Sequence, residues 1–216
     1  MKICFISDTH SHHREINVPK DIDLLVHCGD FSTYIGEVNV LRDFNKWLGE
    51  IPLPIDRKIV IAGNHDTMFE NNYNLSKLEI FNATYLQDEF VKVDGVKIYG
   101  SPWTPNFCSW AFMYERNSVQ AYNKWRSIPE DIDVLVTHGP PYGILDAVPD
   151  RHPSVGCEVL AERISQLKSL KVHAFGHIHN SFENSTQEHN GVIFVNASTF
   201  DEDHMPVQDK KVIVTI

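Results

Sequence analysis

His177 and His179 stand two residues apart in the stretch HAFGHIHNS, just past a short apolar run and a glycine. In an extended backbone alternate residues point to one side, so this spacing would aim two imidazoles at one place. Other short apolar runs end in residues of the same kind. Asp8 and His10 follow KICFIS, and Asp30 follows DLLVHC. Asn64, His65 and Asp66 follow KIVIAG, and His138 follows DVLVT. The carboxyl ends of strands are where layered α/β domains build their sites. With His65 set aside, Asp8, His10, Asp30, Asn64, His138, His177 and His179 offer oxygen and nitrogen donors and no thiolate. That set suits manganese, iron, zinc, cobalt or nickel rather than a cysteine-bound zinc. It is too large for one ion that keeps an open position. It fits two ions about 3.5–4 Å apart, bridged by a carboxylate and a hydroxide. Such a pair binds a phosphate oxygen and lowers the pKa of bound water toward about 7.

The elements that must position these residues are legible as apolar runs closed by turn residues. The six runs KICFIS, DLLVHC, KIVIAG, DVLVTHG, KVHAFG and GVIFVN read as buried strands, and KVIVTI closes the chain. FVKV and VKIYG alternate around Asp94-Gly95, a hairpin signal. Val40, Leu41, Phe44, Trp47 and Leu48 form one helical face that ends before Pro52, and Leu160, Ile164 and Leu167 form another. Ser118 to Trp125 is a weaker helical pattern. Strands with intervening helices, then a hairpin, then more strands predict a mixed-sheet α/β or α+β layered domain. Repeats, low-complexity tracts and linkers are absent, so residues 1–216 read as one domain.

In order, DTH, GD, GNHD, HGPP and GHIH resemble the five-motif signature of the calcineurin-like metallophosphoesterases, and they span Asp8 to His179. More narrowly, GSPWTP, THGPPYGILD, GCEVL and NAST resemble the metallophosphoesterase-domain-containing branch related to class III cyclic nucleotide phosphodiesterases. The resemblance implies a four-layer αββα sandwich of two mixed β-sheets flanked by helices. It implies that Asp8, His10, Asp30 and His179 hold a first metal, that Asp30 bridges, and that Asn64, His138 and His177 complete a second. His177 and His179 would then each serve a different metal. Asp30 and His65 would be the catalytic pair, with His65 a non-ligand proton donor, and Asn64 and His65 would touch substrate. The implied activity is a dinuclear-metal phosphoesterase, first of all a phosphodiesterase on small substrates such as cyclic nucleotides, with manganese the first choice of metal. A non-catalytic scaffold of the same fold, a protein phosphatase and a nuclease are the alternatives.

Other residues carry plainer expectations. A formal net charge of −10 argues against tight binding to long nucleic acid. The cysteines Cys4, Cys28, Cys108 and Cys157 form no CxxC pair and read as reduced thiols. With no signal-peptide or membrane-length segment in view, the expected setting is the cytoplasm, and the sequons at Asn74, Asn82, Asn184 and Asn196 are expected to stay unglycosylated. His27 reads as a core histidine. His12 and His13 read as a solvated loop, and His152, His173, His189 and His204 as structural or surface residues. Asp66 is expected to cap a helix or orient its neighbours. Gly29, Gly63, Gly139 and Gly176 are expected to make turns that let ligands converge. Trp103, Phe107, Trp110 and Phe112 could form an aromatic lip for a base. A loop packed on itself is the favoured reading. Oligomeric state is left open.

Overall fold

The structure is a computed structural model that describes residues 1–33, 38–148, 154–179, 185–201 and 203–216. The chain runs β1 (Lys2–Ile6), β2 (Leu24–His27), α1 (Val38–Glu50), β3 (Lys58–Val60), α2 (Thr67–Asn71), α3 (Tyr73–Glu79), β4 (Thr84–Tyr85), β5 (Glu89–Val93) and β6 (Val96–Ser101). It continues with β7 (Thr104–Pro105), β8 (Met113–Tyr114), α4 (Val119–Arg126), β9 (Val134–Thr137), α5 (Glu158–Gln166), β10 (Val172–Phe175), β11 (Thr186–His189), β12 (Val192–Asn196) and β13 (Val212–Thr215).

Two sheets carry the site. The first has the order β13-β1-β2-β3-β4, with β1 to β4 parallel and β13 antiparallel at the edge. The second has the order β11-β12-β10-β9-β6-β5, with β6, β9, β10 and β12 parallel and the edges β5 and β11 antiparallel. Side-chain alternation explains the layering. Ile3, Phe5, Leu24, Val26 and Ile59 of the first sheet meet Ile98, Val134, Val136, Val172 and Ala174 of the second in a buried apolar layer. The opposite face of the first sheet, with Cys4, Ile6, Leu25 and Val60, packs on Leu41, Phe44, Trp47 and Leu48 of α1. The opposite face of the second, with Tyr99, Leu135, Phe175 and Phe194, packs on Ala121 and Trp125 of α4 and Leu160 and Ile164 of α5. The result is the expected four-layer αββα sandwich.

Local chemistry fixes the connections. Asp94 and Gly95 take φ of 48° and 84°, the left-handed pair that a tight β5–β6 hairpin requires. The helix at Ser118 forms as read, because the Ser118 hydroxyl accepts from the Ala121 N–H at 3.2 Å. Cys157 caps α5 the same way through Sγ. The four cysteines are free thiols, and only Cys108 is exposed. Among the described residues no helix is long and apolar enough to cross a membrane. His152 and Asn184 lie outside the described residues.

Candidate metal centre

The loops after β1, β2 and β3 meet those after β9 and β10 where the two sheets abut. Asp8 N–H donates to Gly29 O at 2.9 Å, His10 N–H to Asp30 O at 3.1 Å, and Gly176 N–H to His138 O at 2.9 Å. The crowding needs unusual backbone. Asp8, His10, Ser11, Asp30 and His177 all have φ between 39° and 70°. That region costs a non-glycine residue on the order of 1 kcal/mol or more. Two glycines admit the carboxylates. A methyl group at Gly63 would lie 2.2 Å from Asp30 Oδ1, and one at Gly176 would lie 2.2 Å from Asp8 Oδ2.

His177 departs from the expectation of an extended pair. Its φ of 67° turns the chain just past β10, so His177 and His179 do not share a strand face. The His177 ring sits 5.0 Å from that of His138, and the His177 backbone N–H donates to both Asp8 oxygens at 3.0 Å. His179 goes the other way, placing Nε2 3.3 Å from Asp8 Oδ1 and 3.2 Å from His10 Nε2.

These contacts bring lone pair against lone pair. His10 Nδ1 faces the Ser32 carbonyl at 2.9 Å and must carry the proton, so His10 Nε2 presents a lone pair to His179. His138 Nδ1 likewise faces the Cys28 carbonyl at 3.0 Å. Its Nε2 is left against Asn64 Oδ1 at 2.8 Å and Asp30 Oδ2 at 3.3 Å. Acceptors packed this closely call for protons or cations between them. Three sets of ligand atoms lie within 4.8 Å of one another: Asp8, His10 and His179; His10, Asp30 and His65; and Asp8, Asp30 and His138. The residues therefore fit bound divalent ions. His177 belongs to none of these sets and lies beside them.

Among the protein's own groups, His138 supplies charge opposed to the carboxylates. Burial alone would raise the Asp8 carboxyl, but His179 and His138 hold it well below the ordinary carboxylate range. Burial opposes Asp30 in the same way, and the His138 charge and hydrogen bond hold it down. Burial would depress His138, yet the Asp30 carboxylate pushes it up to about 9. Burial lowers His177 to about 3, which keeps it a neutral donor, and burial also lowers His65.

The sequence model of the calcineurin-like phosphoesterase family matches residues 1–181. The chain belongs to that family. This calcineurin-like phosphoesterase is 38% identical over 231 aligned positions to metallophosphoesterase domain-containing protein 1 of Homo sapiens, covering 96% of the chain and 69% of the relative. A UPF0046 protein of Caenorhabditis elegans is 36% identical, with 91% and 74% covered. The fold is also that of the phosphopantetheinyl hydrolase of Mycobacterium tuberculosis, at a TM-score of 0.63 and 15% identity over 98% of this chain and 95% of that one. The Thermus thermophilus protein TT1561 gives 0.65 and 11% over 99% and 97%.

In this phosphoesterase the centre opens into a cleft of about 1310 Å³ lined by His65, Phe107, Trp110, Arg116, Phe200 and His204, among others. The His65 N–H donates to Asp30 Oδ1 at 2.8 Å, and its ring stands edge-on to those of His10 and Trp110 at 4.8 and 4.1 Å. The aromatic segment divides between its two readings. Trp103 and the buried Phe112 pack inward, Trp103 donating to Asp88 at 3.1 Å with Lys124 3.9 Å over its ring. Phe107 and Trp110 are 55% and 37% exposed and face the cleft, against His177 and His65.

Some neighbours differ from their sequence reading. Asp66 starts α2 but makes no side-chain cap. Its carboxylate instead accepts from the N–H groups of Asp30, Ser32 and Gly63 at 2.8–3.0 Å, tying the loop after β2 to the loop after β3. Burial and the Asp30 charge raise it to about 7 against those donors. His13 is no solvated residue: it is buried against Phe44 and Trp47, with Nε2 3.0 Å from Asp43, whereas His12 is exposed at the cleft. His27 and His173 are core residues, each bonded to a threonine hydroxyl. His204 and Phe200 are not legible as site residues, because His204 lies eight residues past β12 and Phe200 follows that strand as a phenylalanine with no metal-binding atom. Phe200 lies 5.0 Å from the His10 ring, and His204 lies against His179.

Proposed function

We propose that the chain is a two-metal phosphoesterase that cleaves small phosphodiesters, cyclic nucleotides among them. The observation that carries this is the packing of buried lone-pair donors around Asp8 and Asp30, beside a cleft with an exposed aromatic wall. Asp8, His10, Asp30 and His179 would hold one ion, and Asn64, His138 and His177 would complete the second. Asp30 would bridge, since it lies within reach of His10 of the first ion and of His138 of the second, as Asp8 also lies near His138. Two divalent ions, manganese first among them, would supply an acidified water and neutralise charge on the phosphoryl oxygens.

The chain's own residues do the rest. The fixed Nδ1–H protons of His10 and His138 keep both Nε2 atoms turned inward. Two divalent ions outweigh two carboxylates, so the centre would be locally positive within a chain of net charge −10 and would draw an anion. Asn64 and His65 border the place a phosphoryl group would occupy. By distance His65 could also reach an ion. We assign it to the substrate instead, as proton donor to the leaving oxygen, because its ring stands between His10 and Trp110 of the cleft wall. Phe107 and Trp110 would stack a planar leaving group. Acidic balance and reduced thiols suit a small cytoplasmic substrate better than long nucleic acid.

The test is hydrolysis of bis(p-nitrophenyl) phosphate against p-nitrophenyl phosphate by protein stripped with chelator and reloaded with manganese. Diester cleavage in excess, abolished by chelator and by His65→Ala, is expected. No cleavage of either ester with two metals bound would overturn the enzymatic reading in favour of a scaffold.

A further inference from the structure

His179 shows the centre one nitrogen, and the other has a partner that no motif supplies. Its Nε2 faces Asp8 Oδ1 at 3.3 Å and His10 Nε2 at 3.2 Å. To offer a lone pair there, the ring must carry its proton on Nδ1. That atom lies 3.0 Å from Nδ1 of His204, with the rings 5.0 Å apart and at 70°. The two nitrogens can bond only if one donates and the other accepts. With His179 protonated on Nδ1, His204 must accept on Nδ1 and keep its own proton on Nε2. This fixes both tautomers.

The loop that presents His204 is built for the purpose. Its base is Thr199, which is buried and reaches directly into the strand end that carries Asp8. Thr199 N–H and Oγ1 donate to Ser7 O at 2.9 and 3.0 Å, and Oγ1 also reaches Asp8 O at 2.9 Å. Above that base Val207 N–H returns to Thr199 O at 2.8 Å, and Phe200 pairs with Pro206. Asp201 closes the tip, its carboxylate accepting from the N–H groups of Asp203 and Met205 at 3.0 and 2.9 Å. His204 itself has φ 56°, the left-handed region that few residue types other than glycine, asparagine, aspartate and histidine enter readily. Phe200 adds a wall, with its ring 5.0 Å from His10 and 5.6 Å from His179. One loop thus grips the backbone of Asp8 and the outer nitrogen of His179, two donors of the same ion.

We propose that His204 is a positioning residue that orients His179 and sets its tautomer for the first metal, with Thr199, Phe200 and Asp201 on one side and Met205, Pro206 and Val207 on the other as its mount. A ligating imidazole ordinarily gives its outer N–H to a carboxylate or carbonyl, and losing that acceptor costs roughly 10–100-fold in metal affinity. Here a second imidazole takes the place of that acceptor. The inference rests on the two-metal reading above.

The test compares His204→Gly with His204→Asn. Both tolerate the left-handed backbone, so strain is matched, while Asn keeps an acceptor near the position of imidazole Nδ1. Metal affinity and stoichiometry would be measured by titration with manganese, and ligand geometry by the absorption bands of the cobalt-loaded protein. His204→Gly should weaken one of the two sites by roughly tenfold or more, leave the other within about twofold, and alter the cobalt bands. His204→Asn should restore most of that loss. Equal affinities in the parent and both variants would overturn the proposal, as would equal loss in both variants. Weakening of both sites together with a lowered melting temperature would assign His204 to folding and overturn it too. A parent that binds no metal would instead bring down the two-metal reading itself.

Discussion

At the scale of single residues the centre depends on groups that never touch a reacting atom. Asp66 satisfies three backbone N–H groups from two loops with one carboxylate. Removing it in Asp66→Ala would leave three buried donors without an acceptor, each worth about 1–3 kcal/mol. We expect a loss of at least about 3 kcal/mol in urea denaturation, and roughly half of that in Asp66→Asn, which keeps one acceptor oxygen. A variant as stable as the parent would show that water replaces the carboxylate. The sequence places Asp66 beside the ligands and offers either a helix cap or an orienting role, and the structure takes the second. The competing demand is long-range. The loop after β2 has amides at Asp30 and Ser32 that only the folded arrangement brings within reach of an acceptor.

Elements set the approach of the ligands. β10 ends at Phe175 and the next residue, Gly176, lies directly over Ser7 and Asp8. A methyl group there would meet Ser7 Oγ at 2.0 Å and Asp8 Oδ2 at 2.2 Å, so β1 and β10 could not keep their separation. Gly176→Ala should cost about 1–3 kcal/mol in thermal unfolding, as overpacking does. It should also lower metal affinity at least tenfold in the same titration used for His204, since Asp8 must move. Unchanged metal binding would show that Asp8 is not a ligand. The central strands were legible because each is an apolar run closed by a glycine or a polar turn. β11 was not, because all four of its residues are exposed and polar, and an edge strand needs no apolar face. The two-residue strands β4, β7 and β8 are too short to leave a pattern. The same limit hid His204. Its mount is a loop closed by backbone bonds, and only the motifs at strand ends announce themselves by type and spacing.

For the whole molecule, the layered core buries imidazoles as well as hydrocarbon. Burial lowers His27 and His173 to about 3, against roughly 6.5 in an unfolded chain. Between those values the unfolded state binds a proton that the folded state refuses. Their contribution is therefore complete above pH 6.5 and is lost as pH falls from there toward 3. Each should cost about 2 kcal/mol between pH 7 and pH 5. Urea denaturation at the two pH values in chelator measures the total loss. His173→Gln, which keeps a donor for Thr137, should shrink it by about 2 kcal/mol. An undiminished loss in that variant would mean that His173 is not excluded from protonation.

The left-handed backbone at Asp8, His10, Asp30 and His177 has a consequence for how such a chain can change over generations. Glycine or asparagine at His10 or His177 would relax the main chain there, whereas at Asp8 and Asp30 the same change would strip buried carboxylates from their histidine and N–H partners. Selection for folding alone would thus erode the centre at its two strained histidines while keeping its carboxylates. A descendant relieved of its chemistry should lose His10 and His177 first, and a library screened only for thermal tolerance should return asparagine or glycine there while sparing Asp8, Asp30 and the apolar strands behind them.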